Sequence, residues 1–99
     1  LYSSAASDVY KRQLHCYEYF NHYKEFIACL VQTGLGHLLL QALDSYILDT
    51  YYTEDKGQDF YYTLRAFSGS LYNIYVTWIL EDSKESAEEI VSIICKIYS

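Results

Sequence analysis

The chain has 99 residues, enough for one domain of ordinary size. It is 52% hydrophobic and 20% charged, with four Gly and no Pro, a balance that excludes intrinsic disorder as its main state. Seven basic against thirteen acidic residues leave a net charge of −6, which disfavours unaided binding to a phosphate backbone. No apolar run approaches the roughly 20 residues of a spanning helix, so membrane insertion is not expected. Cys16, Cys29 and Cys95 are too few and too scattered for a disulfide framework and suit a reducing, cytoplasmic setting.

The first thirteen residues, LYSSAASDVYKRQ, differ in character from the rest. Ser3 to Gln13 lack a helical apolar period, and the string SSAASDVYKRQ resembles the conceptual translation of a sequencing-library adapter ending in a transposon mosaic end. Residues 1–13 are therefore expected to be an artefact, and residues 14–99 the native domain. The alternative is a native Ser/Ala-rich arm before a helix. With no Met anywhere, the chain is expected to be a fragment of a longer product. Without Asp8, Lys11 and Arg12 the remainder carries −7, so the native part is the more acidic.

From Leu14 the spacing predicts an all-α, antiparallel bundle of about four helices, near 15–33, 36–53, 58–81 and 86–98. In the first, Cys16, Tyr19, Phe20, Tyr23, Phe26, Ile27, Leu30 and Val31 recur at three- and four-residue steps. Gly34 and Gly36 supply its stop signal. The second places Leu35, Leu38, Leu39, Ala42, Leu43, Tyr46 and Ile47 on one stripe, then frays into the polar loop Thr53 to Asp59. The third carries Phe60, Leu64, Phe67, Leu71, Ile74 and Trp78 at alternating steps of four and three, the near-heptad spacing of a helix aligned with its neighbour. Beside it runs a second stripe of Tyr61, Leu64, Ser68, Tyr72, Tyr75 and Ile79. Gly69, mid-helix, costs about 1 kcal/mol against Ala, so something is expected to approach the backbone there. The fourth opens on Ser86-Ala87-Glu88-Glu89, a capping box, with Glu88, Glu89 and Lys96 placed to suit the helix dipole.

The order of these pieces, with FYYTLRAFSGSLYNIYVTWILEDSKESAEEI at its end, resembles the C-terminal regulatory domain of TetR-family transcriptional regulators. Phe67, Ser68-Gly69-Ser70, Trp78-Ile79 and Ser86-Ala87-Glu88-Glu89 fill the family's aromatic, small-residue, Trp and Ser-Pro-Glu-Glu places. Ala87 stands where the family has Pro, and the N-terminal helix-turn-helix is replaced by the adapter-like string. The resemblance implies a cytoplasmic homodimer that senses a small molecule or partner and binds DNA only through that N-terminal domain. It also implies that the last two helices join their copies in a four-helix bundle. The alternative is a helical protein–protein interaction module with no ligand or DNA role.

Apolar residues on several sides of the last two helices motivate a dimer interface at Gly69, Tyr72, Val76, Leu80, Ile90, Ile93, Ile94 and Ile97. The competing reading is that the N-terminal domain covers them. For an effector pocket the candidates are Tyr23, Phe26, Tyr46, Phe67 and Tyr75, whose rings and hydroxyls suit a site between helices but equally fill cores. His15, Cys16 and His22 lack the spacing of a metal motif, and Cys29 and Cys95 read as small buried hydrophobes. His37 is expected to be solvated at a helix start. Carboxylates at 54–59 and 81–89 suit solvated or capping roles, so no catalytic residue, metal or cofactor is expected.

Overall fold

The structure, a computed structural model, describes the backbone of residues 2–97 and the side chains of residues 10–97. It is all-helical, with no strand among the described residues. The helices are α1 (Tyr2–His22), α2 (Lys24–Gln32), α3 (Gly36–Tyr51), α4 (Gln58–Leu80) and α5 (Ala87–Ile97), with a 3-10 turn at Glu54–Lys56. Five helices thus stand where four were expected, because the first stretch is interrupted at Tyr23. There the backbone takes φ −99 and ψ 15. The hydrogen-bond ladder survives the break, with Tyr23 N–H donating to Tyr19 C=O at 3.1 Å and Ile27 N–H to Tyr23 C=O at 2.9 Å. The interruption lets α1 lie along α5 while α2 turns onto α3 and α4.

The first helix also begins earlier than expected, at Tyr2, so the adapter-like residues continue into it. Its described core contacts nevertheless start late: Cys16, Tyr17 and Phe20 reach the core, whereas Tyr10, Lys11 and Arg12 are exposed. The other boundaries shift by a residue or two, α3 ending at Tyr51 and α4 at Leu80, while residue 98 lies outside the described residues.

Gly34, at φ 82, closes α2, and Leu35 N–H reaches back to Leu30 C=O at 2.8 Å; a left-handed residue one place past the cap produces this bond. Gly36 does not stop a helix. It opens α3 and is buried, because a Cβ there would collide with the Tyr72 hydroxyl and press Val31 at 3.3 Å. α3 and α4 form the most extensive helix pair.

The core is built from Phe20, Ile27, Leu39, Ile47, Leu64, Leu71, Tyr75, Trp78, Ile90 and Ile94. Phe20 and Tyr75 stack with ring centroids 4.3 Å apart, Tyr17 tilts onto Trp78 at 5.4 Å, and Tyr75 meets Trp78 edge-on at 6.1 Å. This aromatic column ties α1 to α4, each ring burying enough apolar area to dominate the local packing. Trp78 also reaches forward: its Nε1–H donates to Glu85 C=O at 3.0 Å and fastens the α4–α5 linker. The expected capping box forms there, with Glu89 N–H to Ser86 Oγ and Ser86 N–H to Glu89 Oε1, both at 3.2 Å.

Candidate functional site

Three aromatics at a four- and a three-residue step, Tyr19, Tyr23 and Phe26, fall on one side of the α1–α2 segment. The apolar face read from the spacing divides. Phe20 and Ile27 turn inward, while Tyr19, Tyr23 and Phe26 keep 52%, 44% and 63% of their surface exposed. Tyr19 and Tyr23 rest on each other at 4.9 Å. Together with Ile27, Leu30 and Leu39 they line an open groove of ≈ 410 Å³ between the α1–α2 break and the start of α3. Ile27 and Leu39 form its buried floor, and the lining is almost wholly apolar. Such a surface can hold an apolar or aromatic group against ring faces, with the phenols of Tyr19 and Tyr23 the only hydroxyls among its lining residues.

Of the five pocket candidates, Tyr23 and Phe26 line this groove. Tyr46 is 66% exposed and does not line it. Phe67 packs half-buried against the core. Tyr75 is fully buried in the aromatic column, which removes it from any surface site. Its hydroxyl has no hydrogen-bond partner among the described residues. Burial raises its pKa strongly, helped by Cys16, Tyr17 and Cys95 close by. The same burial pushes the Cys16 thiol up to about 12, so it stays protonated and unreactive at neutral pH. Cys29 is exposed, not buried as its residue type suggested, and Cys95 is half-buried. His37 is exposed at the start of α3, and His15 and His22 are exposed on α1.

Tyr19, Ile27, Leu30 and Leu39 were not among the sequence candidates. The Tyr19–Tyr23–Phe26 spacing could have found the first of them. The other three are indistinguishable from core aliphatics by type. On α3 the inward face runs through Gly36, Leu39, Leu43 and Ile47, leaving Leu35 and Leu38 43% and 47% exposed instead of buried in one stripe.

The interface candidates separate in the same manner. Ile90 and Ile94 are 3% and 1% exposed, covered by their own chain, because that face of α5 seats on α1 and the core. Tyr72 and Val76 are half-buried against the core. Leu80, Ile93 and Ile97 stand 44%, 44% and 55% exposed. At Gly69 an added Cβ would meet nothing within 4 Å, so no neighbour within the described chain makes the expected close approach. Gly69, half-buried, instead lies on a stripe of α4 through the exposed Tyr62, Ala66, Asn73, Thr77 and Leu80, at steps of four and three. Among the described residues, no three His, Cys, Asp or Glu side chains gather in a metal-binding arrangement. No described helix is long and apolar enough to cross a membrane.

Comparison with protein-family models, curated proteins and solved structures finds no match for this chain.

Proposed function

We propose that this chain is the regulatory and dimerisation part of a TetR-like transcriptional regulator, a cytoplasmic homodimer whose effector docks in the groove of Tyr19, Tyr23 and Phe26. The observation that carries the reading is the outward stripe of α4. A mid-helix glycine weakens the helix by about 1 kcal/mol against Ala, and at Gly69 a Cβ would meet nothing within 4 Å among the described residues, so its smallness serves a neighbour from outside. A second copy seated there, with Leu80, Ile93 and Ile97 at its flanks, removes exposed apolar surface from water. Effector binding among α1, α2 and α3 then biases the placement of two DNA-binding heads through α4.

Sedimentation equilibrium of the chain tests this. A dimer that Gly69→Leu converts to monomer is the expected result, and a monomer at high concentration overturns it. A second reading, a helical module for a different protein, draws on the groove being an open trough and not an enclosed cavity. Under that reading the chain is monomeric alone, and Phe26→Ala abolishes capture of the partner without changing oligomeric state.

A further inference from the structure

A hydroxyl inside an apolar core is costly unless it is paired, and its pairing partner is then fixed in space. Ser68, in the middle of α4, is 0% exposed. Its Oγ–H donates to a carboxylate oxygen of Asp44 on α3 and also faces the Arg65 C=O of its own helix at 3.1 Å. The other Asp44 oxygen lies 3.7 Å from the Arg65 guanidinium. Asp44 retains only 16% of its side-chain exposure, so these two partners replace much of its contact with water.

The contacts around this cluster are of another kind. Leu39, Leu43, Leu64 and Leu71 are aliphatic, and hydrophobic burial is non-directional, so these contacts define axial position less sharply than a hydrogen bond does. A slide of α4 along α3 by one residue turns Ser68 about 100° away, because successive helical residues are spaced 3.6 to the turn. It would strand both the hydroxyl and the carboxylate. The Gly36–Tyr72 approach, two turns earlier on α3 and one turn later on α4, is a second close contact of the same antiparallel pair.

We propose that the Asp44–Ser68 hydrogen bond is a polar pin that selects one axial register of α3 against α4, and Arg65 balances its charge. The pin stands on its own geometry. Its consequence for signalling, that it holds the groove residue Leu39 and the outward Gly69 stripe in one alignment, rests on the function proposed above.

The test uses the full chain. In a double-mutant cycle of Asp44→Ala and Ser68→Ala, the unfolding constant departs from the product of the single effects by roughly tenfold. Independence of the two effects overturns the pin. Register is read by the nuclear Overhauser contact between Gly36 Hα and the Tyr72 ring. Asp44→Asn, which keeps an acceptor, is expected to retain one set of resonances and that contact. The apolar pair Asp44→Leu with Ser68→Ala is expected to stay helical but lose the contact or show a second set of resonances. If that pair fails to fold, Ser68→Ala alone is read the same way. One set of resonances with the contact intact in the variant read overturns the proposal. A wild-type chain that sediments as a monomer removes the dimer reading and leaves the register result unaffected.

Discussion

Two groups at the meeting of α1, α4 and α5 are held protonated by burial, and they govern how the molecule responds to base. The Cys16 thiol is raised from its ordinary 9.0 to about 12, and the Tyr75 phenol is raised above its ordinary 10.0 for the same reason, with nearby Cys16, Tyr17 and Cys95 adding to it. The sign follows from linkage: the folded state keeps protons that the unfolded state loses. Their contribution is complete below pH 9 and disappears as pH rises through the folded values. Stability is therefore expected to be insensitive to these groups up to about pH 9, then to fall by up to about 1.4 kcal/mol per pH unit through Cys16, with Tyr75 adding a slope of the same size above its ordinary 10.0. Urea denaturation across alkaline pH measures this. Tyr75→Phe supplies the control: with no hydrogen bond to lose among the described residues, it costs nothing at neutral pH and gains about 1 kcal/mol. It also removes one of the two alkaline slopes. A Tyr75→Phe variant that is destabilised at pH 7 would mean that the hydroxyl has a partner.

The ends of α2 and α4 use one device with different residues. In each, the second residue past the cap donates back to a carbonyl five positions earlier, Leu35 to Leu30 and Ser83 to Trp78, both at 2.8 Å. The left-handed position is Gly34 in the first and Asp82, at φ 67, in the second, followed by Ser83 at φ 52. A side chain in that region costs energy that glycine does not. Asp82→Gly is expected to raise stability by about 0.5–1 kcal/mol, and Gly34→Ala to lower it by about 1 kcal/mol, both read as shifts in urea midpoint. This asymmetry also explains what was legible beforehand. Gly34 and the Ser86–Glu89 capping box announce themselves by residue type, and the buried faces of Trp78, Leu71 and Leu64 by spacing. The turn at Asp82 carries no glycine to mark it. The break at Tyr23 leaves the ladder bonds on both sides in place, so the helical period passes through it unchanged. Ser68-Gly69-Ser70 reads as a single small step, yet the three diverge: Ser68 pairs with Asp44, Gly69 faces open space, and Ser70 bonds back to Ala66 C=O at 2.9 Å. Tyr23 and Phe26, singled out by residue type, line the groove. Tyr75 was misplaced because two neighbouring stripes on α4 give no sign of which lies innermost.

At the scale of the molecule, the helices form a slab of 39 × 29 × 18 Å with a radius of gyration of 14.1 Å, against about 13 Å for a compact chain of this length. Its accessible surface is 6840 Å², where a compact 11.6 kDa monomer exposes about 5800 Å². The excess is comparable to the roughly 800 Å² that each partner gives to a stable interface. At this scale the origin of residues 1–13 can be tested energetically. Their described side chains offer the rest of the chain little. Arg12 sits 6.0 Å from the centre of the exposed Tyr51 ring, a contact worth about 0.5–1 kcal/mol. Gln13 opposes it, because its Oε1 is buried with no hydrogen-bond partner among the described residues, a penalty of about 1–3 kcal/mol. The two effects nearly cancel or favour removal. A chain beginning at Leu14 should therefore be at least as stable as the longer one, by up to about 2.5 kcal/mol, when followed by Trp78 fluorescence, and it should keep the Phe20–Tyr75–Trp78 column, whose members all lie beyond the cut. A loss of more than about 2 kcal/mol would place the first thirteen residues inside the fold's energetics, as a native arm requires and an adapter-derived leader does not.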